Sequence, residues 1–61
     1  MNKDKIKFLV ESGLLSSALY EAQKFDKKCE WLFECKPDES HPEYQNWKIA
    51  MEKELKRVLG Q

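Results

Sequence analysis

His41 is the single histidine of the chain, and Cys29 and Cys35 are its two cysteines. A Cys-His nucleophilic pair, a Ser-His-Asp triad or a three-ligand zinc site would have to draw on these side chains. Their spacing argues against each. The two cysteines fall in a segment whose periodicity predicts helix, where they would point about 120° apart and stand roughly 9 Å apart along the axis. Neither a disulfide nor a Cys-x-x-Cys type of zinc knuckle closes over that gap. His41 lies in a Pro-flanked loop with nothing to orient it. The adjacent carboxylates Asp38 and Glu39 lack the apolar enclosure that tunes a general acid. Gly13 and Gly60 stand alone rather than in a phosphate-cradling run. The expectation is a non-enzymatic chain with no cofactor and no metal, carrying reduced thiols in a cytoplasmic setting, with Cys29 acting as a small buried hydrophobe.

Binding chemistry is the remaining class. Eleven basic and eleven acidic residues cancel, which excludes a general polycation for nucleic acid or anionic membrane. The balance is uneven along the chain. Residues 36–43 carry a net −2, and residues 44–61 a net +2 through Lys48, Lys53, Lys56 and Arg57. These four cations are the candidate nucleic-acid contacts, although a solvated helix face explains them more simply. A helix-turn-helix is disfavoured: Gly13 supplies a turn, but the following helix carries no cation before Lys24.

These side chains must be positioned by helices. Sixty-one residues and 7.3 kDa allow one small domain over 1–61, and a chain of this size buries only about 60% of its unfolded surface. With two Gly and two Pro, few turns are available. A short helix is expected over 3–12, capped by Asn2, with Ile6, Leu9 and Val10 on one face and a stop at Ser12-Gly13. A second helix is expected over 14–35. Leu14, Leu15, Ala18, Leu19, Ala22, Phe25, Cys29, Leu32 and Phe33 all fall within an arc of about 140°; Asp26-Lys27-Lys28 is its weak point. The linker 36–41 holds Pro37. Ser40 and Glu43 have capping-box spacing, with Pro42 in the first turn of a third helix over 42–59. Tyr44, Trp47, Met51, Leu55 and Val58 recur there at steps of three and four. The fold expected is all-α, a short N-terminal helix followed by an antiparallel helical hairpin, with two copies expected to pair as a homodimeric helical bundle.

Four large apolar residues fit none of these core stripes: Phe8, Tyr20, Trp31 and Ile49. On the second helix Tyr20, Lys24, Lys28 and Trp31 form a second stripe, and Trp, Tyr and a neighbouring cation are favoured interface anchors. Either the first helix folds back over them, or a second copy covers them in a dimeric bundle, or another protein does. The functional expectation is a small protein-binding regulator or inhibitor of the size class encoded by phages and mobile elements. It would dock the Tyr20, Lys24, Lys28 and Trp31 face on a larger protein. A dimeric nucleic-acid-associated regulator and a structural subunit of a larger assembly are the alternatives. No run approaches the length of a membrane span, so no membrane contact is expected.

Overall fold

Helix α1 spans Lys3–Glu11, with Asp4 in its first turn at the positive end of the helix dipole. It closes at Gly13, whose φ of +77° lies in the left-handed region that only glycine enters without penalty. The Gly13 amide donates to the Val10 carbonyl at 3.0 Å and the Leu14 amide to that of Leu9 at 2.8 Å, the two bonds of a Schellman ending. The computed structural model describes residues 3–60, so the Asn2 cap lies outside the described residues.

The helix expected over 14–35 is instead two helices, α2 (Leu15–Ala22) and α3 (Lys27–Glu34). Asp26 makes the break. Its backbone is extended, at φ −120° and ψ 119°, and its carboxylate accepts the Cys29 amide at 3.1 Å, the bond of an N-cap. Gln23, Lys24 and Phe25 turn the chain before it. The Asp26 amide still donates to the Ala22 carbonyl at 3.0 Å, so one residue leaves the helical path and the next helix begins at once. Such a break is silent in the apolar pattern, because Cys29 and Leu32 return to the same core as Ala18, Leu19 and Ala22. It does change which residues reach that core. Phe25 and Phe33, expected inside, are exposed, and so is Leu14, which the turn at Gly13 places at the N-cap of α2.

The last helix, α4, spans Tyr44–Val58 and starts later than the Ser40–Glu43 capping box implies. The segment before it is taken up by turns, His41 amide to Asp38 carbonyl at 2.9 Å and Tyr44 amide to His41 carbonyl at 3.0 Å. Glu43 becomes the cap residue. Its amide donates to Nδ1 of His41 at 3.0 Å, and its Oε2 accepts from Nδ2 of Asn46 at 3.2 Å. Pro42 therefore sits upstream of the helix rather than within its first turn. Lys56 and Arg57 occupy the last turn, favourably placed at the negative end of the dipole.

One core joins the four helices. Among the described residues α1 contributes Ile6, α2 contributes Ala18, Leu19 and Ala22, α3 contributes Cys29 and Leu32, and α4 contributes Trp47, Met51, Leu55 and Val58. Helix α2 packs against all three others, and α3 packs against α4. The two buried alanines of α2 give its neighbours close approach. No described helix is long and apolar enough to cross a membrane.

Candidate functional site

Helix α3 is only eight residues long, too short to hold itself in water, so its surface residues are presented by its packing on α2 and α4, and both of its ends are fixed to α4. At the N-terminal end, Nη2 of Arg57 lies 2.8 Å from Oδ1 and 2.8 Å from Oδ2 of Asp26. At the C-terminal end, Nε1 of Trp47 donates to the Leu32 carbonyl at 2.9 Å in a buried bond. That carbonyl belongs to the last turn, where helical acceptors have no internal donor. Residue 26 thus meets 57 and residue 32 meets 47, so α3 and α4 run in opposite senses. Arg57 is held in turn by Glu54, its Nε 2.6 Å from Oε1.

Between these two fixed ends lies a groove of about 430 Å³. Lys27, Lys28, Trp31 and Leu32 of α3 form one wall, and Ala50 and Glu54 of α4 the other. Trp31 is 63% exposed at its edge. The floor is apolar and the rim carries both signs of charge. Neither Lys27 nor Lys28 makes an ion pair among the described residues.

The four residues expected to form one docking stripe are parted by the break at Asp26. Lys28 and Trp31 line the α3–α4 groove, whereas Tyr20 and Lys24 belong to a separate cluster. There, Tyr20 and Phe33 stand with ring centroids 5.7 Å apart, within the range of a favourable aromatic pair. Nζ of Lys24 sits 4.8 Å from the Tyr20 centroid, a cation–π distance. Glu21 ties this cluster to α1, accepting Lys5 at 2.7 Å and Lys24 at 3.0 Å. Hydrogen bonds from Lys5 and then from Lys24 hold the Glu21 carboxyl below its ordinary range, and the same bond raises Lys24. Helix α1 thus flanks Tyr20 without covering it: Tyr20 is 49% exposed, and Phe8 and Ile49 are each 65% exposed.

The basic set divides as well. Arg57 is bound to Asp26 and Glu54, and those hydrogen bonds raise its already high pKa. Lys53 and Lys56 are exposed and Lys48 half-buried, and at about 100° per residue the three spread over about 140° of the helix circumference. Cys29 is fully buried, and burial, followed by the charge of Asp26, pushes its thiol up to about 11. Cys35 is exposed. Among the described residues no three His, Cys, Asp or Glu side chains are grouped to hold a metal ion.

Periodicity could not single out Phe33, which lies on the apolar arc of α3, nor Ala50 and Glu54, whose place opposite Trp31 depends on how α3 docks. The Asp26–Arg57 pairing, 31 positions apart, has no local signal. Comparison with protein-family models, with curated proteins and with solved structures finds no match to this chain.

Proposed function

We propose that this chain is a small non-enzymatic protein-binding regulator. A dimeric helical bundle presents two contact faces, Tyr20 of α2 with Lys24 of the turn after it for larger proteins, and Lys28 with Trp31 in the α3–α4 groove. The observation that carries this reading is the exposure of Tyr20, Trp31 and Phe33 beside a core that closes without them. Exposed Tyr and Trp on rigid helices are among the side chains that carry most of the binding energy at interfaces. The mechanism is occlusion, with the Tyr20–Phe33 cluster docking in a groove of the larger protein and blocking it.

Affinity capture from the producing cell tests this, comparing the wild type with Tyr20→Ala/Phe33→Ala. A protein retained by the wild type and lost by the variant supports the reading. Equal retention by both, or none by either, overturns it. The nucleic-acid alternative rests on Lys48, Lys53 and Lys56, since Arg57 is engaged within the fold. It predicts a mobility shift with DNA or RNA at low salt that Lys53→Glu/Lys56→Glu abolishes.

A further inference from the structure

The α3–α4 groove holds a protruding ring and a recess to receive one. Trp31 projects from the α3 wall, and the α4 wall opposite it offers Ala50, the smallest side chain lining the groove. We infer that the occupant of this groove is the same groove of a second copy, related by a two-fold axis, with each Trp31 seated over the other's Ala50. This deepens the protein-binding reading above and rests on its treatment of Trp31 as a contact residue.

Three observations favour a second copy over an unrelated helix. A two-fold interface brings the same patch against itself and so requires a self-complementary surface; this groove carries ring and recess together. Its charges have the same property. Lys27 and Lys28 stand on one wall and Glu54 on the other, so crossing α3 over the α4 of its mate sets lysines against a carboxylate. Oε1 of Glu54 is taken by Arg57, which leaves Oε2 for a lysine of the mate. Finally, the net charge of zero removes long-range repulsion between copies.

Light scattering on the intact chain at about 10 μM, several times a dissociation constant near micromolar, tests the assignment. The wild type is expected at twice the 7.3 kDa chain mass. Trp31→Ala should weaken association by at least about 30-fold with unchanged helical circular dichroism. Ala50→Trp should also run as a monomer, because two rings then compete for one recess. Mixing the two variants is decisive. The indole introduced at position 50 of one chain fills the place left by the missing Trp31 of the other, so an equimolar mixture should regain the doubled mass. A monomeric wild type, a Trp31→Ala variant that dimerises as fully as the wild type, or a mixture that stays monomeric overturns the proposal. A monomeric wild type that still captures a foreign protein through Tyr20 and Phe33 leaves the protein-binding reading standing. A dimer that captures none removes that reading and keeps this one.

Discussion

One nitrogen of Arg57 bonds both carboxylate oxygens of Asp26, at 2.8 Å each, and one of those oxygens also caps α3 through the Cys29 amide. A single aspartate therefore ends the continuous helical path, starts the next helix and fastens it to the last turn of α4. The two roles can be separated by substitution, because asparagine also caps helices but carries no charge.

Asp26→Ala should lower the unfolding free energy by about 2 kcal/mol, near the upper range for an N-cap, because the link to α4 is lost with the cap. Asp26→Asn should lose clearly less. Urea unfolding followed by circular dichroism measures both. Equal losses would mean that the ion pair, not the cap, does the holding.

Acid should weaken the fold through the same residue. Burial acts most strongly on Asp26 and would raise its pKa, but the hydrogen bonds from Arg57 and the Cys29 amide, with the Arg57 charge, outweigh it and hold the carboxyl below its ordinary range. A depressed carboxylate contributes stability that is complete above the unfolded value of about 4 and disappears as pH falls through the folded value. Stability should thus hold from pH ~7 to ~5 and decline below about 4. In Asp26→Asn the acid decline should be shallower, and parallel profiles would contradict the assignment.

The thiols should differ in reactivity. Cys35 is exposed and Cys29 fully buried, so a thiol reagent should label one site at once and the other only as fast as the fold opens. The Cys29 thiol, raised to about 11, is held neutral by the fold while the unfolded chain ionises near 8.5. Stability should fall as pH rises from about 8.5 towards 11. Cys29→Ala should flatten that limb, and rapid labelling of both thiols at neutral pH would refute the buried placement.

Trp47→Phe keeps a ring in the core but leaves the Leu32 carbonyl without its donor. The expected cost is about 2 kcal/mol, read from denaturant unfolding. A cost below about 0.5 kcal/mol would show that water or a shifted donor replaces the indole.

What the sequence discloses here follows the range of each signal. Gly13 announces the end of α1, and the steps from Trp47 to Val58 announce the buried face of α4, because both are local properties of a helix. The break at Asp26 is harder to read. A cap that returns the chain to the same core leaves the hydrophobic period intact, so Phe25 and Phe33 look as internal as Leu19. Tyr20 and Trp31 are visible as residues without a core position, but the recess opposite Trp31 is not. It exists only once Asp26 finds Arg57 and Leu32 finds Trp47, and contacts between distant positions leave no periodic trace.

The two tryptophans occupy opposite environments, Trp47 8% exposed with its N–H bonded and Trp31 63% exposed at a groove edge. The chain consequently carries two intrinsic optical reporters. A water-borne quencher such as iodide should extinguish the emission of Trp31 while sparing that of Trp47. Shielding of the first would then register occupation of the groove, and a red shift of the second would register melting of the core.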